Sequence, residues 1–292
     1  YMPFSTTPLP PGTIVPKPQQ ITVADKLDTT LSVFDFIPLK YHAGIRLNKR
    51  IGAGNVDVTT FFQAAIDFVG QNGGPGQTPM NPLVIDVPAG RYYLGNILLA
   101  HGIVLRGAAL QATMLCCIPG TKGSWLKNYT TGPPSGHGNA GKISIERMRL
   151  SGDENPNPDG SVGNPDITAG IDLGGGDGGW GDYSDLRDIE VSNFPNAIGI
   201  KLGVNVSVLY NVWTENTHDG IINTSGGPGG SCLFAFGCGA MKFRGVGIRL
   251  SVADYWAGTE IEAPLDGSTP VEMAGSSTIA GIFIGPPNSL VN

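Results

Sequence analysis

Across residues 57–107 the spacing of apolar side chains changes once. In DVTTFFQAAIDFVGQNGG, Phe61, Ala64, Ala65 and Phe68 recur at i, i+3, i+4 and i+7, the period of an amphipathic helix. Asp57 stands where an N-cap acceptor is expected, and Gly70, Gly73 and Gly74 supply the stop. In NPLVIDVPAGRYYLGNILLAHGIVLRGAAL the period shortens. Leu83, Ile85 and Val87 alternate, Pro88-Ala89-Gly90 makes a corner, and Tyr92, Leu94, Ile97, Leu99, Ile103 and Leu105 continue in short runs. One helix followed only by short strands and tight corners is the prediction. Upstream, Leu31, Val33 and Phe34 predict an opening strand, and Pro38 begins a short connection to the helix. Residues 1–20 are proline-rich and aperiodic, which predicts an extended arm.

Downstream the pattern repeats. KISIERMRLSG, SDLRDIEVSN and VSVLYNVWTEN carry apolar positions in one frame: Ile145/Met148/Leu150, Leu186/Ile189/Val191 and Leu209/Val212/Thr214. A Gly-Ile pair recurs at Gly170, Gly199, Gly220, Gly247 and Gly281, at intervals of 29, 21, 27 and 34 residues. A period in the twenties, stretched by insertions, is what one coil of a parallel β-helix needs. Glycine at the corners would take φ > 0, and stacked Ile, Leu and Val would form one continuous core. The early helix then covers the open apolar end of the first coil. The expected organisation is an arm over 1–30, a capping helix and first coils over 31–118, and further coils over 119–292. No closing element is recognisable before Asn292, so further coils or another chain are expected to cover that end.

Composition narrows the class. The 292 residues include 44 glycines and 23 prolines, yet 40% are hydrophobic and mean hydropathy is +0.02, so many tight turns fit better than disorder. A net charge of −6 gives no footprint for nucleic acid. No apolar run has the length of a membrane span. Cys116, Cys117, Cys232 and Cys238 are too few for a disulfide scaffold and match no zinc spacing, so buried thiols are expected. No metal or cofactor is called for.

SVFDFIPLKYHAGIR, DVTTFFQAAIDF, VIDVPAGRYYL and IVLRGAALQATML together resemble the N-terminal part of pectate-lyase-superfamily β-helices of the bacteriophage tailspike type. The likeness covers about residues 31–118. It implies an all-β, right-handed, single-stranded parallel β-helix with one N-terminal capping α-helix. It further implies a homotrimer on a virion tail that binds, and often cleaves, a bacterial surface polysaccharide, attached to tail or baseplate proteins through the N-terminal arm. The GAKGDGVTDDT-like run that usually precedes the helix is here IRLNKRIGAGNVDVTT, which marks a distinct branch. The resemblance carries over no catalytic positions.

Candidate chemistry comes from the repeats. Overlaying them puts Arg149, Glu190 and Trp213 at one outward coil position. A carboxylate beside an indole suits sugar binding, while a solvated β-face or a subunit contact is the plainer use. Glycoside hydrolysis needs two carboxyl groups about 5–10 Å apart. Asp172, Asp182, Glu215 and Asp219 are the catalytic candidates, with Asp177 and Asp185 nearby. Trp180 and Tyr183 make residues 172–185 the preferred groove loop, and His218 beside Asp219 suits acid or base work in an elimination. Aspartates in Gly-rich corners more often bond their own backbone. Asp254, Tyr255, Trp256, Glu260 and Glu262 form a second acidic and aromatic cluster. The loop at 155–166 echoes a calcium-loop spacing through Asn155, Asn157, Asp159 and Asp166, but its prolines and missing helices favour a plain insertion. GGGDGG lacks the Lys-Ser/Thr of a phosphate loop. The alternatives to a tailspike are a free polysaccharide lyase or glycoside hydrolase, or a non-catalytic adhesive β-helix.

Overall fold

The computed structural model describes residues 31–72, 83–100, 102–128, 143–152, 166–174, 184–203, 207–224, 233–273 and 276–286. Strand β1 (Leu31–Ser32), helix α1 (Leu39–Arg46) and helix α2 (Thr59–Asn72) come first. The first two coils are β2 (Leu83–Val87), β3 (Gly90–Leu94) and β4 (Ile97–Leu99), then β5 (Ile103–Gly107), β6 (Thr113–Cys117) and β7 (Gly123–Asn128). The third is β8 (Ser144–Ser151) with β9 (Ile167–Gly174). In the next two coils one strand bends around both corners, β10 (Asp185–Gly203) and then β11 (Ser207–Asn223). β12 (Leu233–Phe236), β13 (Gly239–Met241) and β14 (Val246–Leu250) make the sixth. β15 (Tyr255–Glu262), β16 (Thr269–Met273) and β17 (Thr278–Ile284) follow.

Every pairing between these strands is parallel, and the register sorts them into three sheets that wrap one core. Sheet one stacks Ile85, Leu105, Ile145, Leu186, Leu209, Ala235, Trp256 and Ile279 inward. Ala235 leaves room for the large Trp256 above it. Sheet two stacks Tyr92, Leu115, Leu150, Val191, Thr214, Ala240 and Ile261. Sheet three stacks Ile97, Leu126, Ile171, Ile200, Ile221, Ile248 and Val271. Successive coils rise by about 4.8 Å, the spacing of hydrogen-bonded strands. The frame read from the repeats at residues 145, 186 and 209 is therefore the coil register.

The corners carry a regular device. Arg147, Asp188, Asn211, Gly237, Gly258 and Gly281 all have φ between 51° and 77° and stand in one column between sheets one and two. Asn193, Asn216, Lys242 and Ala263 form a second such column between sheets two and three. One left-handed residue per corner turns the chain. Asparagine tolerates that conformation best after glycine and adds a ladder, Asn211 Nδ2 donating to Asp188 Oδ1 at 2.8 Å and Asn216 Nδ2 to Asn193 Oδ1 at 3.2 Å.

The Gly-Ile glycines do a different job from the one expected. Gly170, Gly199, Gly220 and Gly247 lie in sheet three without positive φ, and a Cβ at any of them would collide with a neighbouring coil. They permit close stacking. Gly281 is not part of this column; it occupies the first corner, and Ile282 after it is in register with the buried Thr259.

The N-terminal cap differs in detail from the periodicity. The segment after Pro38 is a helix, α1, and β1 is only two residues followed by a single 3-10 turn at Val33–Asp35. On α2 the buried stripe is Phe62, Ala65 and Ile66, continued by Val58; Ala64 and Phe68 are exposed. Two apolar stripes overlap on this helix, and burial follows the one that meets Tyr92 of the first coil, at 6.3 Å from Phe62. Asp57 Oδ1 accepts from the Thr59 N–H at 2.8 Å, as a capping residue does. Gly70 lies within the helix, and Gly73 and Gly74 are outside the described residues. Gln63 accepts from the Leu98 N–H at 2.8 Å and donates to its carbonyl at 3.0 Å, so the helix satisfies the free strand edge of the first coil. Cys116, Cys117 and Cys238 are buried free thiols. Burial pushes the Cys116 and Cys238 thiols up to about 12.

Candidate functional site on the second sheet

Sheet two presents two outward columns. The first runs Met114, Arg149, Glu190, Trp213, Gly239, Glu260, Phe283, and the second Ser151, Ser192, Glu215, Met241, Glu262. The overlay of Arg149, Glu190 and Trp213 is thus a true stack. Arg149 Nε lies 3.0 Å from Glu190 Oε1, with both side chains mostly covered. Glu215, at a diagonal position to Glu190, holds Lys242 Nζ at 2.6 Å across one coil. Diagonal neighbours in a sheet are about 7–8 Å apart at Cα.

The Trp213 indole lies along the sheet rather than away from it. A Cβ at Gly239 would collide with its ring, so the missing side chain of the next coil is the bed for the indole. Its Nε1–H donates to Asn211 Oδ1 at 3.1 Å, which fixes the ring orientation. The second cluster read from the sequence joins this face: Glu260 and Glu262 project from β15 above Gly239 and Met241. Glu260 is raised above the usual carboxylate value, chiefly by its hydrogen bond to Glu262, then by partial burial and by that neighbour's charge. The neighbouring carboxylate two residues along the strand thus favours the protonated form of Glu260.

Past the corner of β11 the polar group continues. His218 Nδ1 is 3.3 Å from Asp219 Oδ1, and that oxygen also accepts the Val246 N–H at 2.7 Å. Arg244 reaches Asn216 Oδ1 at 3.2 Å, and burial lowers its pKa from the ordinary arginine value. Glu190, Trp213 and Glu215 therefore stand together on two adjacent coils of sheet two, with His218 and Asp219 past the corner of the second. Lys242, Arg244 and Gly239 complete the group, and the sequence reading missed them.

Asp172 stands elsewhere. It faces out from sheet three, where Ser124 Oγ donates at 2.7 Å, the Gly174 N–H at 3.0 Å and Lys201 Nζ at 3.3 Å. Its oxygens are committed to holding coils together. Trp180, Asp182, Tyr183 and Asp177 lie outside the described residues, as do Cys232 and residues 153–165. Asp185 pairs with Arg187 at 3.2 Å on sheet one. Of the remaining cluster, Trp256 is in the core, and Asp254 is buried with the Asn223 amide at 2.9 Å.

Sheet one carries an aromatic strip that the sequence reading did not assemble. Tyr210, Phe234, Phe236 and Tyr255 come from three coils and are 55%, 41%, 38% and 37% exposed. Tyr255 contacts both phenylalanine rings at 6.2–6.5 Å between centroids.

No family model and no curated protein matches the chain. Among solved structures it is similar to the tailspike protein of E. coli bacteriophage HK620, at 15% identity and TM-score 0.51 over 90% of this chain and 50% of that one. It is similar to the mannuronan C-5 epimerase A-module of Azotobacter vinelandii, at 16% identity and TM-score 0.49 over 86% and 76%. The ORF18 protein of Geobacillus virus E2 gives 14% and 0.49 over 92% and 64%. The chain spans about half of the HK620 tailspike it matches. The architecture is thus that of a right-handed parallel β-helix.

Proposed function

We propose that this chain is a glycan-binding β-helix of a phage tailspike or receptor-binding protein, with the outer face of sheet two as the sugar surface. The observation that carries the reading is the indole of Trp213 laid along the sheet over Gly239, between Glu190 with its Arg149 partner and Glu260. A flat aromatic face takes the C–H side of a pyranose, and the flanking charged groups take its hydroxyls. In this reading the protein acts as a homotrimer on the virion, docks through residues 1–30, and is otherwise extracellular.

Cleavage of the bound polysaccharide is the second part of the proposal. Glu215, held by Lys242, and Asp219, held by the Val246 N–H, are the carboxylates nearest the indole on β11. His218 on Asp219 favours a second reading, a free polysaccharide lyase in which the imidazole removes the proton α to a uronate carboxyl. The experiment is incubation with capsular and lipopolysaccharide preparations, followed by assays for new reducing ends and for unsaturated uronates. Reducing ends without unsaturation support hydrolysis, and unsaturation supports elimination. Binding lost in Trp213→Ala, with no product from any bound glycan, leaves a binder. Asp182→Ala tests the 172–185 loop in the same assay. Wild-type affinity in Trp213→Ala removes sheet two from the reading.

A further inference from the structure

A cleft of about 540 Å³ lies between helix α2 and the outer side of sheet three, away from the surface described above. Gln63 and Asp67 of the helix form one wall. Asn96 and Leu98 of the first coil, with Lys122, Ser124 and Lys127 of the second, form the rest. Its volume falls within the range of small-ligand sites, about 300–1,000 Å³.

The hydrogen-bond ledger of this cleft leaves a defined set of groups open. Gln63 is committed to Leu98 and Asp67. The Asn96 amide nitrogen donates to the carbonyls of Lys122 and Ser124, at 2.8 Å and 2.9 Å. Lys122 pairs with Asp166 at 3.0 Å. Lys127 is in register with Asp172, the carboxylate that ought to neutralise it, yet Asp172 is taken by Ser124, the Gly174 N–H and Lys201. Among the described residues Lys127 is left half-buried without an acidic partner. Asn96 and Asp67, which line the same space, carry side-chain oxygens that can accept.

We propose that this cleft binds a carboxylate-bearing sugar unit, with Lys127 on the carboxylate and Asn96 and Asp67 on hydroxyls. A half-buried ammonium without a partner gains most from one anionic group. A phosphate or sulfate wants several donors and no acceptor, so the Asp67 carboxylate works against it. Sugar hydroxyls donate and accept, and the wall offers both. The Leu98 side chain supplies an apolar patch for a ring face. The site is independent of the sheet-two surface.

The test is calorimetric titration of the full chain with tetragalacturonate, maltotetraose and inorganic phosphate. The wild type is expected to bind tetragalacturonate and not maltotetraose at the same concentration. Lys127→Met should weaken that binding by about tenfold and Lys127→Glu by more, as loss of a charge-assisted contact does. Lys49→Met, which removes an exposed lysine outside the cleft, should leave it within about twofold. Melting curves close to wild type establish that the Lys127 variants fold, and Lys127→Arg should retain most of the affinity. Three results overturn the proposal: no binding of tetragalacturonate at millimolar concentration, unchanged affinity in Lys127→Met, or equal competition by inorganic phosphate.

Discussion

A side chain at Gly239 would meet both the Trp213 indole and the carbonyl of Glu260, so the smallest substitution there has two consequences. Gly239→Ala must tilt the indole off the sheet or push β15 outward, at about 1–3 kcal/mol. The expected outcome is a lower midpoint in denaturant titration together with weaker glycan binding. Trp213→Ala should cost binding with little effect on stability, because the ring sits outside the core. The Glu260 carboxyl beside Glu262 gives a second residue-scale expectation. Glu260 titrates above its unfolded value, so the stability linked to that proton is fully present below the unfolded carboxylate range and is lost as pH rises through the raised value. Glu262→Gln removes the neighbouring charge. Its melting temperature relative to wild type should rise between about pH 4 and pH 7, and a difference independent of pH would contradict the assignment.

At the scale of elements, the corners are where residue choice and geometry conflict most visibly. Ala263 turns the second corner at φ 47°, the same position that Asn193 and Asn216 fill in earlier coils. A left-handed alanine costs about 1–2 kcal/mol, so Ala263→Gly should stabilise the chain by up to about 1 kcal/mol after the added unfolded-state entropy, measurable by denaturant titration. The capping helix is the opposite case. Phe62 is wholly buried on the first coil, and Phe62→Ala should destabilise by about 3–5 kcal/mol, whereas Phe68→Ala, half-exposed, should cost far less. The stripe at Phe61, Ala64, Ala65 and Phe68 was a fair reading of period, but periodicity cannot choose between overlapping stripes one residue apart. The core of the coils was legible because Ile145, Leu186 and Leu209 repeat in frame with nothing inserted between the first two sheets. The site was only partly legible. From Ser192 to Glu215 the coil is 23 residues and from Glu215 to Met241 it is 26, so the partners Lys242 and Gly239 fall out of any fixed period. The aromatic strip on sheet one escaped for the same reason, since Tyr210 aligns with Phe236, and Phe234 with Tyr255, only once that variable spacing is known. Asp172 looked like chemistry because sequence does not record that Ser124, 48 residues earlier, already holds it.

For the whole molecule, one hydrophobic column per sheet means that each coil is stabilised mainly by the coil on either side, as in other solenoids. Local stability should then follow position along the axis rather than distance from a centre. β10 and β11 are flanked on both sides along all three sheets, and their inward residues are almost all buried. β16 and β17 have a described neighbour on one side, and most of their residues are exposed or half-exposed, with Phe283 at 58%. Native-state hydrogen exchange should therefore give the slowest amides in β10 and β11 and the fastest among the strands in β16 and β17. A change in the middle separates nearest-neighbour stacking from all-or-none folding. Ile200→Ala sits between Ile171 and Ile221 and removes contacts to both, at about 2–5 kcal/mol. If stability is carried coil to coil, it should speed exchange in β9, β10 and β11 while leaving the β2 to β4 amides under the capping helix at their own rate. Uniform acceleration across all seventeen strands would mean that the solenoid opens only as a single unit.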